Sequence, residues 1–129
     1  MENAELLKNA RDLLLKLHKS MVDIEREMYE GVHGPQTATE FLNLLLEDPD
    51  LSYLRKFSML IVEIDEMFAA KDGLPADMID ANLVTVRELV AMTESDEYFK
   101  AKYQFALQRD ANAAALHSEL KVLVEDGNV

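Results

Sequence analysis

The segment Leu13 to Pro35, LLLKLHKSMVDIEREMYEGVHGP, carries two of the three histidines of the chain and its densest set of side chains able to do chemistry. Placed on a helix at about 100° per residue, Arg11, His18 and Glu25 form a column at seven-residue spacing within a wide apolar face, with Tyr29 close by. A histidine held by a carboxylate titrates near neutrality, so such a column can move a proton or hold a small ligand. The same residue types also build structural networks, in which a carboxylate and an arginine satisfy a partly buried imidazole and fix helix register. No adjacent nucleophile, phosphate loop or oxyanion hole accompanies them, and the expectation is a non-enzymatic protein.

Glu30-Gly31-Val32-His33 has the Glu-x-x-His form that di-iron bundles use twice on inward-facing helices. Here it occurs once, across a glycine expected to end the helix, and Glu63-x-x-Glu66 supplies no second histidine. No metal or other cofactor is expected. His33-Gly34-Pro35 has a simpler reading, as a histidine at the negative end of a helix followed by a chain-turning pair. His117, among Ala113, Ala114, Ala115 and Leu116, is expected to be exposed or at an interface.

The elements that must position these residues are helical, and the fold class expected is all-α. Apolar residues recur at i, i+3, i+4 and i+7 almost throughout, and no alternating run is bounded by turn residues. A first helix is expected from about Asn3 to Glu30, stopped by Gly31 and Gly34-Pro35. Thr37 and Glu40 stand at capping-box spacing before a short helix over Ala38 to Glu47. Asp48-Pro49 opens a third helix that ends near Lys71, with Gly73 placed to terminate it. Pro75 opens a fourth, with the stripe Ile79, Leu83, Val86 and Val90.

Ser95, Asp96 and Glu97 read as the start of a long fifth helix to about Val124. Its expected inward stripe is Tyr98, Ala101, Phe105, Leu116, Leu120 and Leu123, interrupted by Arg109 and Asn112. Short connections then imply a mostly antiparallel up-and-down bundle of four long helices plus one short helix, in one domain over residues 1–129. First and last helices are neighbours in such a bundle. Arg109 and Asn112 are therefore expected level with His18, completing a polar site of Arg11, His18, Glu25, Tyr29, Arg109 and Asn112.

Composition narrows the partners. Thirteen Lys and Arg stand against 25 Asp and Glu, a formal net charge of −12, which repels phosphate backbones and argues against nucleic acid. The longest apolar runs, such as Met59 to Val62, fall far short of the ~20 residues that span a bilayer. The start, MENAELLKNARDLLLKLHKS, puts Glu2 and Glu5 where a signal peptide would be basic, so it reads as an ordinary helix. With no Cys there is no disulfide or thiolate metal site, and the expected compartment is the cytoplasm. Seven Met and nine Phe and Tyr exceed what one bundle seam requires. Phe99 and Tyr103, off the expected stripe, suggest a second apolar surface for a protein partner or a homodimer.

The series Leu17-His18, Asp23-Ile24-Glu25-Arg26, Tyr29-Glu30, His33-Gly34-Pro35, Leu44-Leu45-Leu46-Glu47-Asp48-Pro49, Leu54-Arg55, Phe57-Ser58 and Ile61-Val62-Glu63-Ile64-Asp65-Glu66 resembles a group of small bacterial α-helical proteins. The resemblance spans the first half of the chain. It implies a bacterial, cytoplasmic helical protein and carries no activity. Two functions follow as expectations: an interaction or regulatory module acting through protein–protein contacts, or a bundle binding a small ligand or metal at His18, Glu25 and Arg109.

Overall fold

Leucine and methionine at helical spacing make α1 (Asn3–His33) the spine of the molecule. Leu6, Leu7, Ala10, Leu14, Leu17 and Met21 are fully buried along one side of it. The helix runs through Gly31, and Gly34 ends it with φ 87° and ψ 173°, a backbone conformation that side chains with a Cβ resist. The computed structural model describes residues 2–70, 73, 75–93 and 96–126. After α1 come α2 (Ala38–Glu47), a 3-10 turn (Pro49–Leu54), α3 (Arg55–Ala69), α4 (Ala76–Ala91), α5 (Glu97–Arg109) and α6 (Ala111–Asp126).

The signals for α2 act as expected: Thr37 Oγ1 accepts from Glu40 N, and Glu40 accepts from Thr37 N. Asp48 caps the Pro49 turn by accepting from Asp50 N at 2.9 Å. The third helix thus begins as 3-10 and becomes α-helical at Arg55. Two expected boundaries, the cap at Ser95 and the end near Lys71, lie outside the described residues. Asp96 caps α5, accepting from Tyr98 N and Phe99 N.

The expected count of four long helices and one short one is corrected at Asp110. There the backbone turns extended (φ −127°, ψ 115°) and splits the expected fifth helix into α5 and α6. Asp110 Oδ1 accepts from Asn112 N, so a short polar side chain caps a new helix instead of continuing the old one. The bend is sharp. Tyr103 Oη lies 2.7 Å from His117 Nδ1, whereas fourteen residues of unbroken helix would separate them by about 21 Å.

Among these helices α1 and α3 run antiparallel, since Arg11 meets Asp65, His18 meets Phe57, and Glu25 meets Tyr53 of the 3-10 turn. Asn3 of α1 bonds Asp80 of α4, Arg87 of α4 bonds the Val124 carbonyl of α6, and Asn112 of α6 bonds Ser20 of α1. The four helices α1, α3, α4 and α6 share one core with Phe57, Ile64, Leu83, Val86 and Leu120 at its centre. α5 crosses it beside the 3-10 turn, where the Tyr98 hydroxyl donates to the Asp50 carbonyl at 2.6 Å.

The inward face of α5 is the reverse of the expected one. Phe99 and Tyr103 are completely buried, while Tyr98, Ala101 and Phe105 are exposed. Phe57, Phe99 and Tyr103 form an aromatic cluster with centroids 5.2 to 5.9 Å apart. The second apolar surface inferred from Phe99 and Tyr103 is therefore core. His117, expected to be exposed or at an interface, is half-buried against Tyr103.

Candidate functional site

The polar column of α1 is a column in projection but not a network. Arg11, His18 and Glu25 are two helical turns apart, about 10.5 Å along the axis, too far to bond one another. Each finds its partner on another element. The Arg11 guanidinium grips Asp65 of α3 with Nε and Nη2 at 2.8 and 2.9 Å, and that bond raises its pKa further. His18 packs on Phe57 with ring centroids 6.5 Å apart and has no hydrogen-bond partner among the described residues. Burial lowers its pKa.

Glu25 is the most developed of these positions. It is 7% exposed, and its Oε1 accepts from Tyr53 Oη at 2.7 Å and forms an ion pair with Lys102 Nζ at 2.8 Å. Burial, then the bond to Glu25, drives the Tyr53 phenol pKa far up, so it stays protonated and donates. The Lys102 ammonium also lies 5.4 Å from the Tyr53 ring centroid, a cation–π approach. An acid buried on an apolar face needs a counter-charge, and Lys102 of α5 supplies it.

Arg109 pairs with Glu27 at 4.0 Å, both side chains being exposed, and Asn112 Nδ2 donates to Ser20 Oγ at 2.9 Å. The expected level of Asn112 beside the middle of α1 holds, but it meets the Ser20 face and not the His18 face. Tyr29 packs on His33 with ring centroids 4.3 Å apart and planes tilted by 32°, and meets the edge of Phe41. Glu25, Tyr29, His33, Asp48, Tyr98 and Lys102 line an open cleft of ≈ 550 Å³ that touches neither His18 nor Arg109. Of the six expected site residues, the structure brings Glu25 and Tyr29 together there and Arg109 and Asn112 together in a separate cleft of ≈ 420 Å³ beside Ser20, Asp23 and Glu27, while Arg11 and His18 line neither.

The Glu30 carboxylate of the Glu-x-x-His pair is engaged locally. The Glu30 carboxylate accepts from Gln36 N at 2.7 Å and from Arg26, which holds the chain turn after α1. Among the described residues no group of three or more His, Asp or Glu is placed to hold a metal ion. No described helix is long and apolar enough to cross a membrane.

A second concavity lies between α3 and α4 and was missed by the reading of sequence. It is a groove of ≈ 470 Å³ lined by Met59, Leu60 and Val62 of α3 and by Thr85 and Leu89 of α4, with Glu63, Glu66 and Glu88 at its edges. Met59 is 70% and Val62 52% exposed. The signal was present as Met59 and Val62 at i and i+3, off the inward stripe Phe57, Leu60, Ile61 and Ile64.

Comparison of the chain with protein-family models, with curated proteins and with solved structures returns no match. The site must therefore be read from its own geometry.

Proposed function

We propose that this chain is a helical interaction module that acts by docking a partner protein in the groove between α3 and α4. The observation that carries this is the exposure of Met59 and Val62 at the mouth of that groove, beside Leu60 and Leu89. Two large apolar side chains held outward on a rigid helix, in a concavity of the size proteins use for ligands, form a recognition surface. Covering each would contribute about 1–2 kcal/mol, given how much of it remains exposed. Neither side chain belongs to the buried core.

The experiment is site-specific photo-crosslinking in intact cells, with the reactive group at position 59 or at Val122, an exposed residue of α6. The expected result is a discrete heterologous adduct from position 59, absent from position 122 and lost when Val62→Glu is added. Equal labelling from both positions would contradict the proposal.

The Glu25 cleft favours a second reading, in which a small ligand binds beside Lys102 and the Tyr29–His33 pair. Its support is a buried carboxylate and a part-exposed ammonium at one concave surface. His18 and Arg109 have no part in it.

A further inference from the structure

We infer that the partner in the α3–α4 groove is an amphipathic helix of another protein, with an apolar stripe about two turns long flanked by Lys or Arg. The inference rests on the interaction reading above and names the partner's chemistry. Both walls of the groove are helices whose backbone groups are bonded internally, and no described residue forms a strand edge. An extended peptide would gain no main-chain ladder there, whereas a helix can lay apolar anchors into the space. Met59 to Glu66 spans two turns of α3, about 10 Å, which matches anchors at i, i+3 or i+4, and i+7.

Charge selects the flanks. Glu63, Glu66 and Glu88 are exposed around the groove, and none is engaged in an ion pair among the described residues. Among the described residues Lys56 is the one cation lining the groove, and its ammonium lies 4.8 Å from the Phe99 ring centroid and 3.9 Å from Asp96 of α5. The described rim therefore presents three exposed carboxylates on a chain already at −12. A second copy seated symmetrically here would set these three acids against themselves, so the surface fits a basic partner better than its own duplicate.

The test uses three designed helical peptides sharing one Leu/Phe stripe and flanked by Lys, Gln or Glu, plus a scrambled Lys peptide, titrated by fluorescence anisotropy into the full chain. The expected order is Lys over Gln over Glu, with Lys and Glu peptides separated roughly tenfold, as several exposed ion pairs would give, and with the scrambled peptide weak. Reversing Glu63, Glu66 and Glu88 to Lys is expected to invert that order. The same reversal at exposed Glu47, Glu119 and Glu125, which do not line the groove, is expected to leave it standing. If Lys and Glu peptides bind equally and Met59→Glu weakens both, the basic-partner inference falls while the interaction reading stands. If Met59→Glu and Val62→Glu affect no peptide, both fall. A native-mass dimer that Met59→Glu dissolves would overturn the inference in favour of a second copy.

Discussion

The Tyr53 hydroxyl donates to Glu25 Oε1 at 2.7 Å, and Lys102 Nζ reaches the same oxygen from α5, so one carboxylate ties three separate elements together. Removing either donor should therefore loosen the end of the bundle. Tyr53→Phe is expected to cost about 1 kcal/mol, the usual net worth of a hydrogen bond. Lys102→Met is expected to cost about 1–3 kcal/mol, below the value for a fully buried pair because Lys102 is partly solvated. Urea unfolding of the singles and the double should show coupling, since both act through Glu25; strict additivity would contradict a shared acceptor.

Asp110 caps α6 and sits at the corner that separates it from α5. Asp110→Ala is expected to lower stability by about 1 kcal/mol, the usual loss of an N-cap. The corner should persist, because Tyr103–His117 and Ser20–Asn112 hold it from both sides. A backbone NMR comparison reads this directly: helical shifts running unbroken through residue 110 would show that the cap alone makes the corner.

The pH dependence follows from two histidines whose pKa values are lowered, His18 by burial and His117 by burial and then by Lys121. A folded-state pKa below the unfolded value of about 6.5 means that the unfolded chain binds protons more readily. Their contribution is then complete above that unfolded pKa and is lost as pH falls through it towards the depressed folded values. His117→Gln is expected to shrink the loss of thermal stability between neutral and mildly acidic pH while keeping the fold. His18→Leu should do likewise and leave the protein folded, since no hydrogen bond among the described residues depends on that imidazole. An unchanged pH profile in both variants would contradict this.

These cases show which features could be read from sequence. Thr37 with Glu40 and Asp48 with Pro49 were legible because caps are local and act through neighbouring backbone. The corner at Asp110 was not, because the true inward set, Phe99, Tyr103, Ala106, Ala113, His117, Leu120 and Val124, keeps three-and-four spacing on each side and steps by seven, two helical turns, across it. Periodicity reports the face of a helix and is blind to a bend that preserves phase. The polar column was legible as residues but not as a site: projection hides the two-turn separation, and partners such as Asp65 and Lys102 are set by tertiary packing. The groove depends on the distance between α3 and α4, which no residue pattern states.

Met59→Glu and Val62→Glu, alone or together, should leave the thermal midpoint within a degree or two of the parent, because both side chains are already largely in solvent. Leu60→Glu, a few ångströms inward, is the contrast: Leu60 is 4% exposed and should unfold or strongly destabilise the chain. Circular dichroism melts separate the two. A large loss from Met59→Glu would mean that this side chain serves folding.

The most direct test of the central claim is a titration of the isotopically labelled chain with the Lys-flanked helical peptide, followed by amide and methyl chemical shifts. The account expects saturable changes concentrated on Met59, Leu60, Val62, Glu63, Thr85 and Leu89, which persist when the salt concentration is raised to screen long-range attraction. Changes spread over every acidic face and abolished by salt, or centred on Glu25 and Lys102, would contradict it.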